Sequence, residues 1–277
     1  MKTFQTALNA ENPLQIIGCV NAYAAMMAEK AGFQAIYLSG AACANGSFGL
    51  PDLGTTTLEN VCEDTRRIAN AIHVPLLVDM DTGWEDPTYA ITQLIQAGAA
   101  AAHIEDQVTL KRCGHRDGKK LVTKNDMVAR IQAAIAGKTN ANFYLMARTD
   151  AFAQEGMQGV IDRSNAYIEA GADAIFAEAF YTLADYKTLC ENIQAPVLAN
   201  ITEFGKTPLF DLSELKSVGV QMILYPMSAF RAMNQAAFNV FQTIRKEGTQ
   251  KNVIDQMQDR NTLYDFLDYV KFENEQP

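Results

Sequence analysis

The feature of this chain that most constrains its fold is a pattern that occurs eight times along the sequence. A short run rich in Ile, Leu, Val and Ala ends in a polar residue and is followed by an amphipathic segment. Nearly continuous apolar strands that alternate with helices are typical of a parallel sheet covered by helices. Eight such units close a (β/α)8 barrel, which usually needs about 250 residues, and the chain has 277. The predicted strands are 16–21, 35–40, 75–81, 100–106, 143–150, 172–179, 196–202 and 221–227.

The rest of the sequence fits one α/β domain. No linker rich in Pro or Ser interrupts it, so we predict a single (β/α)8 TIM-type barrel domain over residues 1–277. Beyond the eighth strand, 228–247 and about 252–271 are predicted helices, which gives a C-terminal helical extension at about 248–277. Four predicted strands follow a pair that ends in glycine, the residue that often terminates the preceding helix. These pairs are Ala31-Gly32, Ala97-Gly98, Ala170-Gly171 and Val218-Gly219.

Composition narrows the classes of function. Hydrophobic residues make up 48% of the chain, enough for a packed core, and the formal net charge is −9. That acidity argues against nucleic acid or an anionic membrane as the main partner. No apolar run approaches the roughly 20 residues that cross a bilayer, and the first residues lack an apolar signal segment. We therefore expect a cytoplasmic enzyme or binding protein for a small molecule.

The five cysteines indicate neither a disulfide framework nor a structural zinc site, because their number is odd and no two have C-x-x-C spacing. Four of them lie among apolar or small residues, where we predict packing roles. These are Cys19, Cys43, Cys62 and Cys190.

The fifth cysteine lies in a predicted active-site lid at about 107–125. This connection holds six Lys or Arg residues in an otherwise acidic chain, and long charged loops after barrel strands often close over a site. Its string KRCGHR places Cys113 among cations, which favours the thiolate or ready donation of a proton. The adjacent Gly114 allows close approach to a ligand. The alternative is an exposed basic loop with an incidental cysteine.

Polar residues end nearly every predicted strand. In a barrel these carboxyl ends meet at one face, where the catalytic groups lie. Any single one of these residues could instead cap the next helix or lie in a solvated loop, but the whole set points to a functional site. The strand ends are Asn21, Ser39, Asp79 with Asp81, Glu105 with Asp106, Arg148 with Asp150, Glu178, and Asn200 with Thr202.

Asp79 and Asp81 are two residues apart, so along a strand both point to the same face. Two neighbouring carboxylates repel each other unless a cation or a proton lies between them. With Glu105 from the next strand, the predicted site is all oxygen, which suits Mg²⁺ or Mn²⁺ better than zinc. The alternative is a pair of aspartates that serve strand-end turns.

Arginines are the natural ligands for a carboxylate substrate because the guanidinium group binds both oxygens at once. Arg148 ends a predicted strand, which favours a site role. Arg231 and Arg260 lie on predicted helices, where a solvated ion pair is an equally good interpretation.

Several of these strings together resemble the isocitrate lyase/phosphoenolpyruvate mutase superfamily, and within it the short bacterial lyases that act on 2-methylisocitrate. The resemblance covers roughly residues 8–272. The KRCGHR string with Cys113 separates the lyase branch from the mutases and hydrolases. The other matching strings include YLSG at 37–40, DMD at 79–81, HIEDQ at 103–107, MARTD at 146–150, NITEFG at 200–205 and SAFRAMN at 228–234.

The resemblance implies an α/β barrel whose last helix is exchanged with a neighbouring subunit, usually in a homotetramer. It also implies Mg²⁺-dependent cleavage of 2-methylisocitrate, a tricarboxylate, to pyruvate and succinate in the methylcitrate cycle of propionate breakdown. By matching motif, Asp79 and Asp81 would hold the metal, with Glu105 in its shell through water. Cys113 would protonate the succinate carbanion, and Tyr37 is the candidate base. Substrate contacts would come from Ser39, Gly40, Ala41, Cys113, Gly114, Arg148, Glu178, Asn200, Ile201, Thr202, Arg231 and Arg260.

Two other functions stay open at this point. The first is a lyase on the same barrel that acts on isocitrate or a related 2-hydroxy diacid, since one methyl group discriminates by only about 1–3 kcal/mol. The second is an inactive barrel that binds a tricarboxylate without cleaving it. The presence of Cys113 and both aspartates argues against the second.

Overall fold

All eight predicted strands are present and form a closed parallel barrel, although the first lies at Leu14–Gly18 and not at the predicted 16–21. The computed structural model describes residues 3–109 and 118–274. Each strand pairs in parallel with the next along the chain, and β8 closes the barrel against β1. The strands are β1 Leu14–Gly18, β2 Ala35–Leu38, β3 Leu76–Asp79, β4 Ala101–Glu105, β5 Tyr144–Thr149, β6 Ala174–Ala177, β7 Val197–Asn200 and β8 Met222–Tyr225. The (β/α)8 prediction is therefore confirmed.

Helices alternate with these strands. The connection after β2 begins with a short α-helix and a π-helical turn at Cys43–Ser47, and the last segment after the barrel opens with a 3₁₀ helix at Lys251–Gln256. The α-helices are α1 Phe4–Ala10, α2 Ala22–Lys30, α3 Gly40–Ala42, α4 Leu58–Ala69, α5 Pro87–Ala97, α6 Lys124–Ala136, α7 Phe152–Glu169, α8 Leu183–Asn192, α9 Leu212–Ser217, α10 Ser228–Glu247, α11 Arg260–Phe266 and α12 Tyr269–Asn274. None of the helices in the described part of the chain combines the length and apolar character that a membrane crossing needs.

The predicted helix-ending glycines are confirmed. Gly32, Gly98, Gly171 and Gly219 all have positive φ, between 90° and 110°. At Gly98 the left-handed residue caps α5, and its N–H reaches back to the carbonyls of the last helical turn. A residue with a Cβ is strained in this conformation, so glycine ends the helix and turns the chain into the next strand.

The barrel interior is filled by one face of the strands. Ring contacts join Tyr37 of β2 to His103 of β4, and His103 to Phe176 of β6, so they skip the strand between and cross the interior. The aromatic ring of Phe4 on α1 lies 5.1 Å from that of Tyr144, the first residue of β5, and is fully buried. The helix α1 therefore packs at the amino-terminal end of the barrel.

Residues 228–277 form a second compact unit. The predicted helix at 228–247 is confirmed as α10, but the single helix predicted at about 252–271 is wrong. Met257 is extended, the Asp259 side chain starts a new helix by accepting from the N–H of Thr262, and Asp268 has a positive φ. The chain forms three short helical pieces there instead.

The packing predictions for cysteine are confirmed for three residues. Cys19, Cys43 and Cys62 are buried, and Cys190 is half-buried. Burial raises the pKa of Cys62 and of Cys190 to about 11, so both thiols stay protonated near neutral pH.

Candidate active site

Most of the predicted site residues lie at the carboxyl ends of the strands or directly after them. Asp81 follows the end of β3 with a positive φ, so the turn, and not the period of two of a strand, brings it next to Asp79. The structure brings these site residues together at the carboxyl-terminal face of the barrel. The buried ones are Ser39, Gly40, Asp79, Asp81, Glu105, Arg148, Glu178, Asn200, Ile201 and Thr202. Ala41 is half-buried beside Gly40.

Asp79 lies at the centre of the hydrogen bonds between β2 and β3. Its Oδ2 accepts from the Gly40 N–H at 3.1 Å and from the Tyr37 hydroxyl at 3.4 Å. Its Oδ1 accepts from the N–H of Asp81 at 3.0 Å. These bonds fix the Asp79 carboxylate between the start of α3 and the loop that carries Asp81.

Gly40 leaves open the space between the two aspartates. A Cβ at this position would stand 3.1 Å from Asp79 Oδ2 and 3.2 Å from Asp81 Oδ1. Both distances are tighter than ordinary van der Waals contact, so a side chain would press against the carboxylate oxygens. The missing side chain and the all-oxygen donors fit a small, hard cation such as Mg²⁺.

Three carboxylates of the described barrel are candidate ligands for such a cation. Within residues 3–109 and 118–274, no group of three or more His, Cys, Asp or Glu side chains surrounds a metal position by itself. Mg²⁺ usually keeps several waters and takes further oxygens from its substrate. Asp79 and Asp81, with Glu105 on the neighbouring strand, are the residues that could hold it.

Tyr37 extends the site into the barrel. Its hydroxyl lies 2.9 Å from Nε2 of His103, and that nitrogen lies 3.6 Å from Asp79 Oδ1. His103 is fully buried and stacks on Tyr37. In the tautomer that leaves Nε2 of His103 unprotonated, the Tyr37 hydroxyl can donate to this closer nitrogen instead of to Asp79, and a proton can pass between the two residues within the buried group.

Arg148 is the cation beside these carboxylates. Its Nε lies 3.0 Å from Asp150 Oδ2 and 3.4 Å from Glu105 Oε2, and its guanidinium carbon stands 5.2 Å from the ring centre of Phe176. Burial works to lower the pKa of Arg148, but the nearby carboxylates, led by Asp150, outweigh it and raise that pKa well above its ordinary value. Arg148 is therefore a permanent positive charge that can bind a substrate carboxylate.

Glu178 and Asn200 form a second polar pair, at the ends of β6 and β7. The Asn200 amide donates to Glu178 Oε2 at 3.2 Å. Both residues are buried, and the carboxylate of Glu178 contributes to the raised pKa of Arg148. The pair thus faces the same space as the arginine.

Four further predicted site residues do not belong to the described strands and loops of the barrel. Cys113 and Gly114 lie outside the described residues. Arg231 on α10 and Arg260 at the start of α11 belong to the unit formed by residues 228–277 and are exposed on it. Their roles remain predictions.

The strand pattern gave no role to His103 or Lys119. His103 precedes Glu105 by two residues, so the period of two could have placed it on the inward face. Lys119 is buried against Asp150 at 2.8 Å, 31 positions away in sequence. No local signal in the sequence predicts that pair.

Known proteins match this chain over nearly its whole length. The family model described as phosphoenolpyruvate phosphomutase matches residues 4–245. The 2-methylisocitrate lyase of Escherichia coli K12 is 54% identical over 276 residues, which covers 98% of this chain and 93% of that protein. The relative from Shewanella oneidensis MR-1 that carries the same name is 52% identical over 98% of this chain and 94% of its own length.

A solved structure shares the fold over nearly the whole chain. It is a 2,3-dimethylmalate lyase described as a member of the PEP mutase/isocitrate lyase superfamily, with a TM-score of 0.89 and 30% identity. The match covers 98% of this chain and 94% of that one. With a family model over most of the chain and near-full-length relatives at this identity, the chain belongs to the 2-methylisocitrate lyase family of the PEP mutase/isocitrate lyase superfamily.

Proposed function

We propose that this protein is a Mg²⁺-dependent carbon–carbon lyase that cleaves 2-methylisocitrate to pyruvate and succinate. The observation that carries the proposal is the 54% identity to the E. coli 2-methylisocitrate lyase over 98% of the chain. The geometry supports it, since oxygen donors and a buried arginine suit a substrate with several carboxylates. In the methylcitrate cycle of propionate breakdown, this step would take place in the cytoplasm.

In this proposal Asp79 and Asp81 would hold the metal, together with Glu105 on the neighbouring strand. When bound, the ion supplies Lewis-acid stabilisation of negative charge on the substrate oxygens. Arg148 binds and neutralises a substrate carboxylate with its two-point donor geometry. Asn200 and Thr202 orient the substrate carboxylates. The remaining lining residues of this space are Ser39, Ala41 and Glu178.

Proton transfers complete the reaction. Tyr37 accepts the proton of the substrate hydroxyl while its own hydroxyl proton passes to Nε2 of His103, 2.9 Å away. The carbon–carbon bond then breaks, and its electron pair stays on the succinate fragment as a carbanion. Cys113 donates the proton that neutralises this carbanion. For Cys113 the support is the sequence string and the family resemblance.

We also propose a homotetramer whose last helix is exchanged between subunits, in which Arg231 and Arg260 reach a substrate. In support, α10 has no buried residue in the single chain and exposes Met233, Phe238, Phe241 and Ile244. Monomers seldom leave so much of one helix apolar and uncovered. Light scattering coupled to size-exclusion chromatography tests this point, and a monomer in solution would contradict it.

The test of function is pyruvate release from 2-methylisocitrate with Mg²⁺, run beside glyoxylate release from isocitrate. We expect pyruvate in large excess, abolished by a chelator and restored by added Mg²⁺. Dominant glyoxylate would assign the enzyme to isocitrate instead. Binding without release of either product would indicate an inactive carboxylate-binding barrel.

The proton donor can be tested separately. Cys113→Ala is expected to abolish turnover while substrate analogues still bind, because the metal and arginine contacts remain. Cys190→Ala, which removes a half-buried thiol on α8 outside the predicted set, is the matched control and should retain turnover. Unchanged turnover in Cys113→Ala would exclude this cysteine as the acid.

A further inference from the structure

The carboxylate of Asp150 holds the site arginine with two hydrogen bonds. Asp150 Oδ2 accepts from Arg148 Nε at 3.0 Å, and Oδ1 accepts from Arg148 Nη2 at 3.3 Å. Asp150 is itself fixed, because its backbone N–H donates to Asp106 Oδ1 at 2.9 Å. All three residues are buried. The orientation of Arg148 therefore depends on where the Asp150 carboxylate lies.

The same carboxylate carries a second cation. Lys119 Nζ donates to Asp150 Oδ1 at 2.8 Å, and the Lys119 side chain is only 5% exposed. Oδ1 is thus shared between Lys119 and Arg148. Burial of an unpaired ammonium group costs several kcal/mol of free energy, so the pairing with Asp150 holds the Lys119 ammonium on this oxygen.

Backbone contacts fix the position of Lys119. Its carbonyl accepts from the side chain of Gln154 on α7 at 2.8 Å, and the neighbouring Lys120 carbonyl accepts from the N–H of Val108 at 2.9 Å. Two residues on, the N–H of Val122 donates to the carbonyl of Asp106 at 2.9 Å. The segment that carries Lys119 is therefore anchored to the ends of β4 and α7.

Sharing Asp150 changes what Arg148 offers to a ligand. An arginine closed onto one carboxylate is largely neutralised, and two of its five N–H donors are used. Because Lys119 takes up part of the Asp150 charge, more of the guanidinium charge is left for another carboxylate. Glu105 on β4 is the register partner of Arg148 on β5, and its Oε2 lies 3.4 Å from Arg148 Nε. This second carboxylate increases the local negative charge that Lys119 helps to balance.

We infer that Lys119 is a positioning residue: through Asp150 it sets the orientation of Arg148 and keeps its charge available to a substrate carboxylate. This inference rests on the proposed function for the identity of that carboxylate. It predicts that loss of the Lys119 charge weakens substrate binding more than it slows the bound enzyme.

The test compares Lys119→Met with Lys119→Arg and with Lys120→Met. Methionine keeps the length of the side chain and removes its charge, arginine keeps the charge, and Lys120 is an exposed neighbour that serves as the matched control. The measurements are kcat and KM for 2-methylisocitrate, the Kd of succinate by titration calorimetry, and Tm. We expect Lys119→Met to lower kcat/KM by about 10–100-fold, mainly through KM, as removal of an outer partner of a site residue commonly does.

The expected pattern also has weaker succinate binding in Lys119→Met, most of the loss recovered in Lys119→Arg, and no change in Lys120→Met. Equal KM and succinate Kd in Lys119→Met and Lys120→Met would overturn the inference and leave the proposed function intact. So would a loss of Tm and kcat with KM unchanged, since that indicates a structural role.

Failure of the proposed function gives a different result. If wild type cleaves neither substrate but binds succinate, and Lys119→Met weakens that binding, the reaction assignment fails and the inference is supported. If wild type neither cleaves nor binds, both are overturned.

Discussion

On strand β3, Leu77 and Asp79 are two residues apart and share one face, yet their surroundings differ. Leu77 belongs to the apolar cluster that fills the barrel interior with residues such as Ala101 and Leu198. Asp79 is buried near the other end of this face, as are Glu105 and Asn200. Glu105 follows Ala101 on the same face of β4, and Asn200 follows Leu198 on the same face of β7. One inward face of the barrel is thus apolar towards its amino-terminal end and charged or polar towards its carboxyl-terminal end.

The difference indicates that one end of the barrel mainly provides stability and the other mainly provides function. Burial of apolar side chains in the interior stabilises the fold. The carboxylates at the other end repel one another and lose hydration, so they are expected to cost stability and to persist for function. Substitutions at the two ends should therefore affect different measurements.

Among the substitutions that compare the two ends of the barrel, Asp81→Asn is expected to have the largest effect. Loss of a metal-holding carboxylate removes several kcal/mol of transition-state stabilisation, so pyruvate release should fall by about 10³-fold or more. Removal of one of two neighbouring negative charges relieves repulsion, so Tm should stay level or rise. A clear drop in Tm with pyruvate release retained would contradict this, because Asp81 would then serve stability and not function.

At the apolar end, Phe4→Ala should lower the free energy of unfolding by about 3–5 kcal/mol, the usual cost of emptying a buried aromatic site. Phe4 is fully buried. At a temperature where the variant remains folded, kcat should be unchanged. Urea unfolding and the pyruvate assay measure the two quantities, and Gln5→Ala, at an exposed position on the same helix, is the control. A large loss of kcat would show that the two ends are not separable.

Arg148→Lys tests whether geometry or charge matters at the charged end. Lysine keeps the positive charge but cannot make the two-point contact with Asp150, so kcat/KM should fall by about 10²-fold. The measurement is steady-state kinetics with 2-methylisocitrate. Near-normal kinetics would mean that a positive charge alone is sufficient.

The smallest effect is expected for Gly40→Ala. The new Cβ would stand 3.1 Å from Asp79 Oδ2, so the carboxylates must shift, and the Mg²⁺ concentration for half-maximal rate should rise by about tenfold. Ala42→Gly, in the same short helix, is the control and should leave this concentration unchanged. Unaltered metal dependence in Gly40→Ala would remove one support for the metal position.

Much of the fold could be predicted from the sequence because each strand is a local apolar run. The predicted strands 75–81 and 100–106 contain the observed β3 and β4, and only their ends are longer than the structure has them. The burial of Phe4 could not be predicted, since it depends on Tyr144 and on closure of the barrel. The helix predicted at 252–271 failed because the capping side chain of Asp259 divides it.

The candidate site was partly predictable for the same reason. Strand ends and the period of two indicated Asp79, Asp81 and Arg148 without knowledge of any contact. The Lys119–Asp150 pair could not be predicted from the sequence, because the two residues are 31 positions apart and meet only in the folded barrel. The strength of such a buried pair depends on that proximity and on the exclusion of water.

The most direct test is to measure Tm and pyruvate release on the same preparations of wild type, Asp81→Asn and Phe4→Ala. The division between the two ends of the barrel predicts opposite outcomes. Asp81→Asn should lose pyruvate release and keep its Tm, and Phe4→Ala should lose Tm and keep pyruvate release while folded. If Asp81→Asn lost both in proportion, or Phe4→Ala lost activity while folded, the account would be contradicted.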